Sequence, residues 1–377
     1  MRGGGLQCAG SIVVFGGIDG REGATYNETT IKGGGQVIDE NGREVGGYGL
    51  LSRYRGELMG IAMLYVMLFH AYELNDAFLP FKAFRSMGFA GVDIFLVLSG
   101  MGICCSLARR EQESYGRYLG RRLRRLLPAF WLVVGIYSVA LAAAGRITPD
   151  VIFWNLSTLS YWLNVPEGFN WYISAILVFY LAAPFYFKLF RRCPHKEWLT
   201  LFIYLISYLL YRATWSAGLL HLPDFLLRIP DFALGFLVGS YVMEGKKLNA
   251  RHLAVWGTAF VLALAVVAGW LVQPVIFPLI LAVVVGVMPA CLLLGRLLHW
   301  YPGRWVPAFL RLVGGSSLEI YLLNVVITRE FDLLAPWLDH DPRHISFYLI
   351  AYTFNIVLGV LLHRVLERIM RRFASRA

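Results

Sequence analysis

Residues 88–125 read GFAGVDIFLVLSGMGICCSLARREQESYGRYLGRRLRR, and the stretch divides sharply in two. Residues 89–108 carry one charged side chain, Asp93, and at 1.5 Å per residue they are long enough as a helix to cross a hydrocarbon core of roughly 30 Å. Residues 109–125 follow with a dense run of arginine, the composition that holds a loop on the cytoplasmic side of a membrane. One span and its orientation are thus set together.

The rest of the chain repeats this alternation. Of its 377 residues 58% are hydrophobic, and the mean hydropathy is +0.58, far above that of a soluble domain. The net charge of +11 does not point to nucleic acid, because the basic residues sit in short loops between apolar runs. Five cysteines, at 8, 104, 105, 193 and 291, lack metal-ligand spacing and read as free thiols; no metal is expected. Residues 1–50 are Gly-rich and polar, without a basic start and a long apolar stretch behind it, so they read as a disordered cytoplasmic tail or an upstream extension rather than a secretory signal. A transmembrane domain is expected over 51–377.

Apolar runs lie at 55–73, 89–108, 127–144, 171–190, 197–215, 225–243, 253–271, 275–298, 312–330 and 346–366, with a weaker one at 151–164. Charge decides whether the weaker run crosses. If it does not, the basic segments 109–125, 188–196, 244–251, 296–311 and 371–377 all face the cytoplasm, while Asp76, Asp150, Glu167, Asp224, Asp332, Asp339 and Asp341 fall on the other side. The expected fold is therefore all-α and polytopic, with about ten transmembrane helices and both termini cytoplasmic, in the cell membrane. Residues 151–164 then lie along the outer face, anchored by Trp154, Tyr161 and Trp162.

Ionisable side chains inside spans are costly and mark functional sites or structural pairs. Span 1 carries Glu57 and His70, span 2 Asp93, span 6 Arg228 and Asp231, span 9 Glu319 and Asn324. His70 and Asp93 each lie about one turn from the outer end of adjacent spans, so an Asp-steadied histidine base or a structural hydrogen-bonded pair is expected there. Arg228 and Asp231, three apart in RIPDF, read as an ion pair on one helical face. Glu319, Tyr321 and Asn324 line the same cavity or bond between helices. The arginines at 117, 121, 122, 124 and 125 suit phosphate, and equally suit anionic lipid heads.

The strings GFAGVDIFLVLSGMGI (88–103), YLGRRLRRLLPAFW (118–131), NWYISAILVFYLAAPFYF (170–187), RIPDFALGFLVG (228–239) and GGSSLEIYLLN (314–324), after a span closing on Phe69 and His70, occur in one order. Together they resemble the acyltransferase 3 family of integral membrane acyltransferases, over about residues 52–370. The resemblance implies ten spans and transfer of an acyl group, often acetyl or succinyl, from cytoplasmic acyl-CoA to a hydroxyl of a glycan, a lipid-linked sugar or another exported molecule. It implies His70 as the catalytic residue, and Arg122 and Arg125 as the R-x-x-R motif that meets the donor's phosphates. Two departures stand out: Met59 where the family commonly has an arginine eleven residues before the histidine, and Asn324 where many members have a second histidine.

The expected mechanism places acyl-CoA phosphates against Arg121, Arg122 and Arg125, with His70 as general base and Asp93 steadying the imidazolium. Ser99 or Tyr172 would donate to the oxyanion, and Arg228, Asp231, Glu319, Tyr321 and Asn324 would line the cavity. Acyl-CoA enters as a substrate, and no cofactor is expected to be bound. The expected partners are the bilayer, the donor and a glycan or lipid-linked acceptor, with no nucleic acid. Two other classes fit the same buried charges: a transporter or flippase, and a sensor or scaffold whose acyltransferase site has decayed.

Overall fold

A computed structural model describes residues 31–32, 36–37, 47–74, 79–165, 168–169, 171–272, 276–331 and 343–374. Most of the Gly-rich segment, Cys8, Asp76, Glu167, Asp332, Asp339 and Asp341 lie outside the described residues. Apart from a two-residue antiparallel ladder, β1 (Ile31–Lys32) with β2 (Gln36–Val37), the described chain is helical. In order come α1 (Gly49–Arg53), α2 (Arg55–Phe69), α3 (Leu79–Ser86), α4 (Ala90–Arg109), α5 (Tyr115–Ala143), α6 (Pro149–Leu156), α7 (Trp171–Arg192) and α8 (Lys196–Ser216). They are followed by α9 (Pro223–Leu226), α10 (Ile229–Met243), α11 (Ala250–Val272), α12 (Ile276–Trp300), α13 (Trp305–Gly315), α14 (Ser317–Arg329) and α15 (Ile345–Ala374).

Six described helical stretches are long and apolar enough to cross a membrane: α4, α5, α7, α9 with α10, α11 and α15. The apolar run at 312–330 lies in α13 and α14, a pair bent by 73° about Ser316 that counts as a seventh if it is one broken span. The weaker run at 151–164 supplies only α6, eight residues or about 12 Å, which is too short to cross. Its expected anchors pack on protein: the Tyr161 hydroxyl donates to His221 O at 2.7 Å, and Trp162 meets Phe225.

Burial ranks the helices. The apolar windows of α4 and of α9 with α10 are 72% and 78% buried, against 6% for α11, so the first two form the centre and the last an outer wall. Glycines allow the central contact. A Cβ on Gly235 would strike Val97 O and one on Gly100 would strike Phe232 O, so α10 lies on α4 backbone to backbone. Gly60 and Gly314 do the same for α2 and α13. Gly235→Val is expected to cost about 1–3 kcal/mol by overpacking, whereas a methyl at Gly257, which nothing approaches within 4 Å, should cost no stability; thermal melts in detergent compare them.

The basic loops gather at one end. Arg191 pairs with Glu111 at 2.7 Å and Lys196 with Glu244 at 3.0 Å, which brings the segments 109–125, 188–196 and 244–251 together. At the other end Glu330 accepts from Tyr137 and Arg146, and Arg329 donates to Gly168 O. Among the described residues Cys104, Cys105, Cys193 and Cys291 are free thiols.

Candidate active site

His70 caps the C-terminal end of α2, where the last turn leaves carbonyls unpaired. Its ring reaches back over that turn: Nδ1 lies 2.8 Å from Val66 O, four residues back, a carbonyl that also accepts from the His70 backbone N–H. A carbonyl oxygen only accepts, so this contact places the ring proton on Nδ1 and leaves Nε2 as the free basic nitrogen. Phe69 and Tyr72 meet the ring edge-on, both with centroids at 5.5 Å. The Asn324 amide lies 3.2 Å from Nδ1, and behind it stands Asn355; both asparagines are 0% exposed. Asn324 therefore occupies the place beside the imidazole.

Asp93 does not. It forms an ion pair with Arg228, Nε to Oδ1 3.2 Å, and the pairing expected with His70 is absent from its contacts. The rotation of α4 explains this. Gly88 and Gly91 rest on Tyr65, Phe69 and Ala62 of α2, and Asp93, two residues beyond Gly91, lies about 200° further round the helix, toward α10. The ion pair expected within α10, Arg228 with Asp231, is thus made across helices instead, with Asp231 close enough to interact with both partners. Pro230 opens α10 rather than breaking it, and Asp93 and Asp231 sit in the first turns of their helices, where the dipole favours an anion. Arg228, 4% exposed, also lies over the Phe89 and Trp171 rings at 5.9 and 5.5 Å.

At the basic end, the three donor arginines separate. Arg121 is held by Glu113 in a two-pronged bond of 2.6 and 2.7 Å, so it is already neutralised. Arg122 lies 5.7 and 5.8 Å from the Tyr118 and Tyr180 rings, with its buried Nε lacking a hydrogen-bond partner among the described residues. Arg125 is exposed. A residue assigned no role in the sequence joins them: Arg55, 9% exposed, donates from Nε to Leu98 O at 2.8 Å and shares the electrostatic environment of Arg122, Arg125 and Tyr180. Arg55 stands one turn before Met59 on the same face of α2, a signal available in the spacing i, i+4.

Tyr172 and Tyr321 pack edge to face at 5.1 Å, and Tyr321 precedes Asn324 by one turn of α14. Ser99 is half-buried on α4, and Glu319 takes a bond from His363 Nδ1 at 3.1 Å. The apolar cavity between α7, α8 and α10, lined by Phe179, Phe225 and Phe232 among others, holds none of these polar groups.

A half-buried histidine with a bare Nε2 at one end of α2 and a cluster of arginines at the other is the arrangement to which the family comparison speaks. The family model described as an acyltransferase domain matches residues 58–364, most of the chain. The chain belongs to the acyltransferase 3 family. It is 24% identical over 342 residues to the acyltransferase MdmB of Streptomyces mycarofaciens, covering 77% of this chain and 83% of that protein. It is 28% identical over 170 residues to the regulator of hypoxia-inducible factor 1 of Caenorhabditis elegans, 36% of this chain and 34% of that one, so it spans about a third of the length of the worm relative. Over 86 residues it is 35% identical to the exopolysaccharide production protein ExoZ of Rhizobium meliloti, 23% and 24% of the two chains. No solved structure matches. The acyltransferase 3 protein is thus a multi-pass membrane protein.

Proposed function

We propose that this protein transfers an acyl group, acetyl in the simplest case, from cytoplasmic acyl-CoA to a hydroxyl of a glycan, a lipid-linked sugar or another envelope molecule, with His70 as the base. The observation that carries this reading is the placement of the bare Nε2 of His70 and the Arg55, Arg122 and Arg125 cluster at opposite ends of α2. Fifteen residues separate Arg55 from His70, about 22 Å along the axis, and a donor with phosphates at one end and a reactive thioester at the end of a long arm suits that separation. The ten apolar runs are read as ten spans of the cell membrane, with the basic loops and both termini in the cytoplasm.

In this mechanism Arg122 and Arg125, with Arg55 behind them, neutralise the donor's phosphates, guanidinium forks being suited to phosphate oxygens. His70 Nε2 takes the proton of the acceptor hydroxyl as its oxygen attacks the thioester carbonyl carbon. The carbonyl π electrons move to oxygen, which in this scheme accepts a hydrogen bond from Ser99 or Tyr172. Collapse breaks the C–S bond, the thiolate leaves toward the basic end, and the imidazolium returns its proton to it through the leaving path or solvent. Asp93 enters this scheme as a partner of Arg228 rather than of His70. Acyl-CoA is consumed as a substrate.

Arg122→Gln removes about 1.5 kcal/mol for one charge-assisted bond, so the KM for acetyl-CoA should rise roughly tenfold with kcat little changed; steady-state kinetics in nanodiscs measure both. The reading as a whole is tested by mass spectrometry of envelope glycans and lipids from cells lacking the protein. Loss of an ester-linked acyl group, restored by wild type and not by His70→Gln, supports it. Substrate uptake into liposomes without CoA release would instead assign the protein to transport.

A further inference from the structure

We infer that Asn355, acting through Asn324, is a positioning residue for His70: two buried amides in series hold the imidazole with its proton on Nδ1 and keep Nε2 free for the acceptor hydroxyl. This rests on the reading of His70 as the base. It adds to that reading a residue on the last helix, far from the strings that identify the family.

The argument starts at Nδ1, which has two polar neighbours, Val66 O at 2.8 Å and the Asn324 amide at 3.2 Å. Because Val66 O can only accept, Nδ1 carries the hydrogen, and a second donor facing it would be repelled. The amide atom turned to Nδ1 is therefore the oxygen of Asn324. Amide oxygen and nitrogen exchange by a half turn about the last side-chain bond, with every other atom left in place. Nδ1–H is then shared between two acceptors, Val66 O and Asn324 Oδ1.

The consequence passes outward. Once Oδ1 of Asn324 faces the ring, its NH2 faces the Asn355 amide, 3.3 Å away, and Asn355 must present its own oxygen to receive it. One backbone carbonyl thus sets the polarity of a chain of three side chains. Asn355 retains one amide atom without a hydrogen-bond partner among the described residues whichever way it turns, so that atom does not decide the polarity. Both asparagines are 0% exposed, and a wrong orientation cannot be repaired by bulk water.

Packing holds the pair at this distance. Gly359, one turn after Asn355 on α15, lies against Ile320, one turn before Asn324 on α14, so close that a Cβ there would meet the Ile320 backbone and side chain. The last helix is therefore seated against α14 with its amide at a fixed height. In this chain the departure from the family's second histidine has a physical content: an asparagine at 324 holds the orientation that Val66 O sets, braced by an amide on the last helix.

The test uses the full chain labelled with 15N-histidine in lipid nanodiscs at about pH 8, with the His70 signals assigned by their loss in His70→Gln. Wild type should show the tautomer with a protonated Nδ1 and a bare Nε2. Asn355→Leu should add a population of the opposite tautomer, while the other histidines keep their signals as a check of folding. Asn355→Asp, which still accepts from Asn324, should retain the wild-type pattern. In parallel, turnover of acetyl-CoA with water or methyl glucoside as acceptor should fall on the order of tenfold to a hundredfold in kcat for Asn355→Leu, with the KM for acetyl-CoA unchanged and with rescue by Asn355→Asp. A protonated Nε2 in wild type, or a His70 signal indifferent to Asn355→Leu, overturns the inference. Unimpaired turnover in His70→Gln would instead remove the base reading and leave the tautomer result standing apart from it.

Discussion

His70→Gln should slow acyl transfer by about two to four orders of magnitude while leaving the protein folded. A positioned general base is worth about 10²–10⁴-fold in rate, and glutamine offers a similar size and a hydrogen-bonding amide but no group that takes up a proton at neutral pH. The ring sits at the end of α2, outside the helix–helix crossings made by Gly60, Gly91 and Gly235, so its replacement does not open the core. The expected result is kcat for acetyl-CoA turnover reduced by that factor, with the KM for the donor and the thermal midpoint in detergent close to wild type. A variant that esterifies its acceptor at the wild-type rate would remove His70 from the chemistry, and with it the scheme above.

The second large effect is on stability. Arg228→Met is expected to cost about 3–5 kcal/mol, because it leaves Asp93 and Asp231, 1% and 0% exposed, buried without the guanidinium that faces them. Methionine keeps much of the side-chain volume and the contact with Phe89 and Trp171, so the loss reports charge rather than a cavity. The cost should shrink when Asp93→Asn is added in the same chain, since the double variant removes one of the stranded charges. Thermal unfolding of the four proteins in the same detergent gives the coupling. An additive result would mean that Asp93 and Arg228 do not depend on each other, contrary to their 3.2 Å contact.

These two experiments separate roles that were joined in the linear reading. His70 and Asp93 stand at similar depth in consecutive spans, which invites a catalytic pair, and the tertiary structure divides them between two neighbourhoods. Depth along a helix follows from counting residues at 1.5 Å each, but facing direction turns by about 100° per residue. A two-residue difference in which side of α4 meets α2 is enough to give Asp93 to Arg228. The same geometry accounts for Arg121, placed in the sequence among the donor ligands and found closed on Glu113, and for Arg55, passed over in the sequence and found buried beside Arg122 and Arg125.

What a reader of the residues alone could establish was the membrane character, the positions of the apolar runs, the gathering of the basic loops, the short segment at 151–164 that does not cross, the family, and the singling out of His70 and Asn324. Each of these is a property of consecutive residues: hydropathy over about twenty positions, charge in a loop, or a motif within a few turns. The partner of Asp93, the bend at Ser316, the inward course of Arg55 and the arrival of Asn355 beside Asn324 came from the folded chain. They depend on how each helix is rotated and how closely it approaches its neighbours, which glycines far apart in sequence, such as Gly100 with Gly235, set by letting backbones touch.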